Sequence, residues 1–357
     1  MNHPIPVIRT LTPKAKPADE SRLGFGQIFT DHMFIMDYID GEGWINARIE
    51  PYAPIPMDPS TMVFHYGQSV FEGLKAYRKA DGSVNLFRPR LNFERMNASN
   101  DRMAIPRVDE DFCVEAVRQL VRLDADWIPS AADTSLYIRP FIFAADPFLG
   151  VRPAHTYHFL VILSPSGAYY PQGLNPISVF VEDEYVRAVK GGTGFTKCSG
   201  NYAASLLSQA NAYRTGYVQV LWLDGIHRSF IEEVGSMNVF FVIDGKLVTP
   251  MINGSILPGI TRRSVLETAI DMGIEIEERM IAIEELAELS AAGRVSEMFG
   301  SGTAAVISPV GTLKWQDCTM TFNAGKIGPV SQRMYDTITG IQYGRLQDPH
   351  GWVVTLA

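Results

Sequence analysis

The chain has 357 residues, of which 46% are hydrophobic and 20% charged, as in ordinary folded proteins. That length exceeds what one hydrophobic core usually organises, so two domains are expected. The formal charge of −8 argues against a nucleic-acid partner, whose binding surface would be basic. No stretch approaches the roughly 18 apolar residues of a membrane span, and the N-terminus has the pattern of neither a secretion nor a transit signal. We therefore expect a cytoplasmic protein with no membrane partner.

Alternating hydrophobic residues and turn formers predict two β-hairpins near the N-terminus. Their strands are 34–39 with 44–49, and 74–78 with 84–87. Apolar residues at helical spacing then predict helices over 90–103 and 109–123, followed by strands over 136–143 and 157–163. Strands and helices arranged in this way indicate an α+β domain over residues 1–166.

Turn formers and prolines dominate residues 164–173, so we place an interdomain linker at 167–175 and a second domain at 176–357. The second domain is predicted to contain a helix near 200–214 that stops before Gly216 and a strand at 218–222. A hairpin over 239–243 and 246–248 follows. A helix near 261–272 should end at Gly273, which suits a C-terminal glycine cap.

The cysteines and histidines do not indicate a metal site. Cys113, Cys198 and Cys318 are widely spaced and odd in number, so neither a disulfide framework nor a zinc cluster is expected. His155 and His158 lie in a predicted strand, where residues three apart point to opposite faces. A shared metal is therefore not expected.

A loop of small residues at 191–202 brings Lys197 to the start of a predicted helix, with Tyr202 five residues further on. The loop does not match the P-loop pattern, because Thr196 precedes the lysine and Cys198 follows it. The dinucleotide-binding pattern fails as well, since it requires a glycine at position 197. Two interpretations remain: a solvated lysine beside a flexible turn, or an amine that bonds covalently to a carbonyl group of a substrate or of pyridoxal phosphate.

Other segments offer what a pyridoxal phosphate enzyme requires besides the lysine. Glu233 precedes a Gly-Ser turn and an apolar strand, where a carboxylate could keep the ring nitrogen of the cofactor protonated. The alternative interpretation is a solvated acidic turn, and Glu232 beside it has the pattern of a solvated residue. Segment 256–262 precedes a helix whose free N–H groups would attract an anion, and segment 300–304 offers hydroxyl groups and further backbone donors.

Six segments in the same order carry a family resemblance: 71–78, 136–140, 191–202, 233–238, 256–262 and 299–303. The chain resembles, over roughly residues 24–355, the branched-chain amino acid aminotransferases of the pyridoxal phosphate fold-type IV class. The resemblance implies a two-domain α+β or α/β fold, with a small N-terminal domain, a large cofactor-binding domain and pyridoxal phosphate in the cleft between them. It also implies a homodimer that transaminates leucine, isoleucine and valine reversibly with 2-oxoglutarate, giving 2-oxo acids and glutamate by a ping-pong mechanism.

The resemblance also assigns roles to individual residues. Lys197 matches the lysine that bonds the cofactor and acts as general base. The other cofactor-binding positions are Arg102 for the phosphate, Tyr202 for the ring oxygen, Glu233 for the ring nitrogen, and Ile260, Thr261 and Thr303 as further donors to the phosphate. The substrate-binding positions are Tyr66, Phe71, Tyr137 and Arg139 around the side chain, with Ser236 and Ala304 at the substrate carboxylate. Arg95 is a nearby alternative to Arg102 that fits the alignment less well.

Two alternatives of the same fold type are D-amino acid aminotransferases and aminodeoxychorismate lyases, against which segments 71–76 and 136–140 weigh. A non-enzymatic pyridoxal phosphate carrier would have no need of Arg139 in an aromatic pocket. This arginine should instead bind the distal carboxylate of glutamate and remain partly hydrated when leucine is bound. Some family members carry a redox-active Cys-x-x-Cys where this chain has Ala305 and Ser308, so thiol regulation of that kind is not expected.

Overall fold

The computed structural model describes residues 5–167 and 174–356, which form two compact units. The first unit comprises Met1–Pro171, Thr196–Ser199 and Ile341–Ala357, and the second comprises Gln172–Phe195 and Gly200–Gly340. The predicted boundaries placed residues 196–199 and 341–357 in the second domain, whereas both segments group with the first unit. The predicted linker stays a prediction, because residues 168–173 lie outside the described ones.

The strands of the described residues are numbered in chain order. They are β1 (His32–Ile39), β2 (Gly43–Pro51), β3 (Ser69–Phe71), β4 (Leu74–Arg78), β5 (Val84–Phe87), β6 (Ser135–Ala144), β7 (Thr156–Ser166), β8 (Ile177–Glu182), β9 (Gln219–Leu223), β10 (Ile231–Val234), β11 (Met237–Ile243), β12 (Lys246–Pro250), β13 (Ile276–Arg279), β14 (Val295–Gly302), β15 (Val306–Trp315), β16 (Cys318–Thr321) and β17 (Val353–Leu356).

The α-helices of the described residues are α1 (Met62–Tyr66), α2 (Pro89–Met103), α3 (Glu110–Leu123), α4 (Ser199–Arg214), α5 (Ile260–Asp271), α6 (Ile283–Ala291) and α7 (Pro329–Gln342). Short 3-10 turns lie at Glu20–Arg22, Ala125–Trp127 and Asn323–Gly325.

The sheet of the first unit is antiparallel, in the order β17-β5-β4-β6-β7-β1-β2, with β3 paired to β6. Helices α2 and α3 contribute Phe93, Val117 and Leu120 to one core cluster with Phe34 and Phe159 of the sheet. The amphipathic pattern of α3 explains this packing, because its apolar positions recur at helical spacing and form one buried stripe.

The sheet of the second unit contains a closed ring of strands. β10 pairs with both β9 and β11, so β10-β9-β8-β15-β14-β11 close on themselves. Closure leaves these six strands without a free edge. β12 and β13 extend the sheet from β11, and β16 pairs with β15. Residues of β10 and β11 are buried along their whole length, so polar side chains on these strands are withdrawn from water.

The predicted hairpins, central strands and helices are confirmed, and so is the two-domain α and β fold class. Gly216 and Gly273 follow α4 and α5 with φ angles of +90° and +68°, which favour glycine. The turn-rich segment predicted at 164–173 begins later than expected, because β7 continues to Ser166. Within the described residues, no helix is both long enough and apolar enough to cross a membrane.

Candidate active site

Lys197 lies in a short extended segment of the first unit, just before α4. Its backbone N–H donates to Oγ of Ser99 at 3.0 Å, and its carbonyl accepts the N–H of Phe71 at 3.0 Å. The next residue, Cys198, forms a β-bridge with Val70. These bonds tie the lysine backbone to α2 and β3. The ammonium nitrogen lies 5.0 Å from the centroid of the Phe71 ring.

A cation on an aromatic surface lies beside the lysine. The guanidinium carbon of Arg139 is 4.7 Å from the centroid of the Phe71 ring and 5.3 Å from that of Tyr137. Its Nη2 donates to the Tyr137 hydroxyl at 3.0 Å, while its buried Nε has no hydrogen-bond partner among the described residues. Tyr66 is on α1 and 40% exposed, with its hydroxyl donating to the Leu149 carbonyl. Of the four residues predicted to surround the substrate side chain, the structure thus brings Phe71, Tyr137 and Arg139 together.

Helix α2 places Arg95, Ser99 and Arg102 on one face, since they are spaced by four and three residues. Arg95 is 9% exposed, and its Nε and Nη2 each donate to a carboxylate oxygen of Glu72 at 2.8 Å. Arg102 is exposed. Glu72 directly follows Phe71, whose N–H donates to the Lys197 carbonyl, and Ser99, one helical turn after Arg95, accepts the Lys197 N–H. This favours Arg95 over the predicted Arg102 as the phosphate-binding arginine.

Glu233 is on β10 of the second unit and is 3% exposed. Its Oε2 lies 2.7 Å from Nε of Arg187, and its Oε1 accepts Nδ2 of Asn238 at 3.1 Å. The same Nδ2 donates to the carbonyl of Leu257 at 2.9 Å. Asn238 therefore connects the acid to the loop that precedes α5. No local pattern in the sequence indicates Arg187, because 46 positions separate it from Glu233.

The start of α5 has the geometry of an anion site. Gly259 is its N-cap, Ile260 is the first helical residue, and Thr261 is buried. Backbone N–H groups of a first turn carry partial positive charge. A Cβ on Gly259 would lie 1.9 Å from Oδ1 of Asn238, so only glycine permits this close approach.

Segment 300–304 differs in part from the predicted loop. Its first three residues complete β14, and the turn begins only at Thr303, with Ala304 next to it. Ser301 is buried, and its hydroxyl has no hydrogen-bond partner among the described residues. A buried hydroxyl of this kind suits an absent polar ligand. Gly300 and Gly302, on either side of Ser301, both pack against the Met237 side chain, so a Cβ at Gly300 would require the methionine to shift.

The remaining two predicted residues lie elsewhere in the second unit. Tyr202 is a half-buried residue in the first turn of α4, three positions after Ser199. Ser236 is exposed in the turn between β10 and β11. Its position next to buried Glu233 and Met237 is compatible with binding a ligand at the end of these strands.

The prediction that Glu232 is solvated was wrong. It is 2% exposed, because β10 is buried on both faces. The Ser255 hydroxyl donates to its Oε1, and its Oε2 has no hydrogen-bond partner among the described residues. Burial raises the pKa of Glu232 to about 7, although Ser255 and Arg187 act in the opposite direction.

The residues present fit pyridoxal phosphate. Within the first unit these residues are an amine with a fixed backbone and a buried arginine. Within the second unit, taken by itself, they are a buried carboxylate, a helix start and a hydroxyl at Ser301 with no partner among the described residues. Within the described residues, no group of three or more His, Cys, Asp or Glu side chains could hold a metal ion.

Comparison with known proteins gives concordant results. Residues 69–313 match the amino-transferase class IV family. The branched-chain-amino-acid aminotransferase 2 of Bacillus subtilis (strain 168) is 57% identical over 348 residues, covering 98% of this chain and 96% of the relative. Among solved structures, the Escherichia coli branched-chain amino acid aminotransferase has 30% identity and a TM-score of 0.78, covering 92% of this chain and 99% of its own.

A further solved structure is a branched-chain amino acid aminotransferase from T.th., complexed with N-(5'-phosphopyridoxyl)-L-glutamate. It is 26% identical with a TM-score of 0.74, and the match covers 90% of this chain and 98% of that one.

Proposed function

Because the chain belongs to the class IV aminotransferases, and among them to the branched-chain-amino-acid aminotransferases, we propose that it exchanges amino groups between branched-chain L-amino acids and 2-oxoglutarate. The products are branched-chain 2-oxo acids and L-glutamate. The observation that carries this proposal is the fixed backbone of Lys197 beside the Phe71 and Arg139 side chains. A simple pyridoxal phosphate carrier would not require that arrangement.

The cofactor is pyridoxal phosphate, which when bound supplies an electron-withdrawing ring that stabilises negative charge on the substrate α-carbon. The Lys197 amine removes the α-proton and returns it, a contribution of roughly 10²–10⁴-fold for a positioned base. Glu233 holds the proton on the ring nitrogen, and Tyr202 donates to the ring oxygen.

The phosphate is held by the N–H groups of Ile260 and Thr261, by the hydroxyl of Thr303, and by an arginine of α2. Arg95 is the stronger candidate for that arginine, since it is buried and rigidly held. Arg95→Lys should raise the dissociation constant for pyridoxal phosphate about tenfold or more, because lysine cannot keep the two parallel bonds to Glu72 and also donate to a phosphate. Arg102→Ala should change it little. Equilibrium binding of pyridoxal phosphate to the apoenzyme tests this. If Arg102→Ala weakened binding and Arg95→Lys did not, Arg102 would be the phosphate-binding arginine.

The substrate side chain is proposed to lie against Phe71, Tyr137 and Tyr66, whose rings suit an aliphatic group. Arg139 then binds the distal carboxylate of glutamate, and Ser236 and Ala304 lie at the α-carboxylate. The relative complexed with N-(5'-phosphopyridoxyl)-L-glutamate supports glutamate as one amino donor.

A panel of amino donors tests the proposal directly. The visible absorption of the purified protein should shift on adding L-leucine, L-isoleucine, L-valine or L-glutamate, but not D-alanine. Lys197→Ala should remain folded and lose transamination, whereas Lys190→Ala, at an exposed lysine just before the same loop, should keep it. A shift with D-alanine would point to a D-amino acid aminotransferase. Retained turnover in Lys197→Ala would show that the reaction does not require this lysine.

We also propose that the chain acts as a homodimer in the cytoplasm, as the family resemblance implies. Light scattering of the purified protein should give twice the mass of one chain, and a monomeric mass at working concentration would contradict this part of the proposal.

A further inference from the structure

Glu232 is the extra residue of a β-bulge. Ile231 of β10 is opposite Leu223 of β9, and Glu233 is opposite the adjacent Trp222, so no residue of β9 is left to face Glu232. A bulge redirects side chains that would otherwise alternate between the two faces of a strand. Here it occurs in a strand that is buried throughout, and two consecutive carboxyl groups are withdrawn from water.

One arginine serves both acids. Arg187, whose side chain is 8% exposed, has its Nε 2.7 Å from Oε2 of Glu233. Its Nη2 donates to the carbonyl of Ser255, and the hydroxyl of Ser255 donates to Glu232. Arg187 also acts electrostatically on Glu232. Nη2 of Arg187 also donates to the carbonyl of Gly194 at 3.1 Å. Gly194 is packed closely against Ser255, since a Cβ on Gly194 would lie 2.2 Å from the Ser255 carbonyl oxygen.

The hydrogen bonds around Glu232 suit a neutral carboxyl group. The single hydroxyl proton of Ser255 is shared between two acceptors, Oε1 of Glu232 and Oδ1 of Asn253, the second at 2.7 Å. Oε2 is buried and without a partner among the described residues. A buried carboxylate with an unsatisfied oxygen is costly, so the site favours the protonated form.

The other charged groups around Glu232 are mostly acidic. Glu233 on the same strand and Asp224 just after β9 both raise its pKa, and Arg187 lowers it. Glu182 of β8 lies opposite Trp222, and its Oε1 accepts two backbone N–H groups. His227 is the other titratable group here, with its Nδ1 3.2 Å from Oδ2 of Asp224. Within the described part of the chain, the cluster thus has more acidic groups than Arg187 can balance, and Glu232 is the acid whose charge is least compensated.

We propose that Glu232 is a proton-linked positioning residue for Glu233, neutral in the apoenzyme and ionised when a cationic ring nitrogen is bound at Glu233. This inference rests on the proposed function, because it requires the cofactor nitrogen to be the partner of Glu233. In the apoenzyme the positive charge of Arg187 compensates the negative charge of Glu233 only. The bound cation adds one positive charge, and the O–H bond of Glu232 breaks to release one proton to solvent, which restores the balance.

Linkage then makes cofactor affinity depend on pH. A group that is protonated in the apoenzyme and ionised in the complex makes binding tighter as the pH rises towards its apoenzyme pKa. Burial places that pKa at about 7. Between pH 6 and 8, the dissociation constant of pyridoxal phosphate should therefore fall by up to about tenfold more in the wild type than in Glu232→Gln.

Isothermal titration of the full-length apoenzyme with pyridoxal phosphate measures the proton directly. In two buffers of different ionisation enthalpy at pH 7, the wild type should release up to about half a proton more per bound cofactor than Glu232→Gln. Glu284→Gln is the matched control, since Glu284 also accepts a serine hydroxyl, that of Ser229 at 2.7 Å, but is exposed. This control should behave as the wild type.

An infrared difference spectrum of the wild type gives a measurement that does not depend on a variant folding. The carbonyl band of a protonated carboxyl group should disappear on cofactor binding. Equal proton release in all three proteins, or no such band, would overturn the inference while leaving the proposed function intact. Failure of the wild type to bind pyridoxal phosphate would instead overturn both.

Discussion

Arg139 keeps its charge on an aromatic surface, between the rings of Phe71 and Tyr137 and with one bond to the Tyr137 hydroxyl. Stacking of this kind positions a guanidinium without neutralising it. The side chain is half-buried, and its Nε is not satisfied within the described residues. A carboxylate-bearing substrate can provide the missing acceptor, whereas an aliphatic substrate cannot.

Arg139→Ala should therefore impair the glutamate half-reaction selectively. Removing a charge-assisted hydrogen bond costs on the order of 1.5–3 kcal/mol, which is roughly ten- to a hundredfold in apparent affinity for glutamate and 2-oxoglutarate. The leucine half-reaction should change much less. Single-turnover absorbance measurements with each amino acid test this, with Arg345→Ala as control, because Arg345 also lies over a tyrosine ring but is exposed. Equal losses with leucine and glutamate would assign Arg139 to the α-carboxylate or to the fold.

Lys75 is another buried cation of the first unit, 7% exposed and opposite Tyr137 in the pairing of β4 with β6. Burial lowers its pKa from 10.5 to about 8. Between these two values the folded chain binds fewer protons than the unfolded chain, so stability increases with pH across that window. Below about pH 8 the full cost of the buried charge is present.

Lys75→Met should remove this cost while filling a similar volume. The unfolding free energy at pH 7 should rise by on the order of 2–3 kcal/mol, and the gain should shrink towards zero near pH 10.5. Urea denaturation of the apoenzyme at several pH values provides the measurement. Lys190→Met, at an exposed position, should show no pH-dependent difference. A gain that is the same at every pH would mean that folding does not shift the pKa of Lys75.

At the scale of elements, Asn238 of β11 joins three features of the second unit. It donates to Glu233 on β10 and to the Leu257 carbonyl before α5, and its Oδ1 packs against the α-carbon of Gly259. The position of the acid and that of the helix start are thus set by one amide side chain. Because of this coupling, a small steric change at the start of α5 should also alter the position of Glu233.

Gly259→Ala should therefore weaken cofactor binding without straining its own backbone, whose φ of −68° any residue can adopt. The added Cβ would displace Asn238, and we expect a loss of about tenfold or more in affinity for pyridoxal phosphate. Gly200→Ala is the matched control, because a Cβ there meets nothing within 4 Å and lies in the first turn of α4. It should stabilise the apoenzyme by about 0.5–1 kcal/mol. Unchanged affinity in Gly259→Ala would mean that Asn238 can move at no cost.

Local patterns predicted the elements well and their tertiary relations poorly. The hairpin at Asp81-Gly82 and the helix ending before Gly273 follow from turn chemistry and periodicity over a few residues. The bulge at Glu232 does not, because it depends on how β10 pairs with β9. For the same reason the sequence indicated Lys197 and Glu233 as chemically important, yet missed Arg187 and Ser255, which reach Glu233 and Glu232 only through the fold.

At the scale of the whole molecule, the chain passes between the two units four times. The last passage returns residues 341–357 to the first unit, where β17 pairs with β5 at the end of the sheet. Trp352 is buried there, with its ring 5.6 Å from that of Phe87 and 5.0 Å from the guanidinium carbon of Arg88. A domain boundary placed at the predicted linker, 167–175, therefore assigns residues 341–357 to the wrong domain, although they belong to the core of the first unit.

A fragment of residues 1–171 should not fold independently, since it lacks both β17 and the segment that carries Lys197. In the full chain, Trp352→Ala should lower the unfolding free energy by about 3–5 kcal/mol, the usual cost of removing a buried tryptophan side chain. Trp315→Ala, at a half-buried site in the second unit, should cost less.

Ending the chain after residue 346 should destabilise the protein more than Trp352→Ala does, because it leaves the β5 edge unpaired and exposes Leu86. Circular dichroism and thermal unfolding distinguish these cases: a folded, monomeric 1–171 fragment would show that the returning segment is dispensable for the first unit.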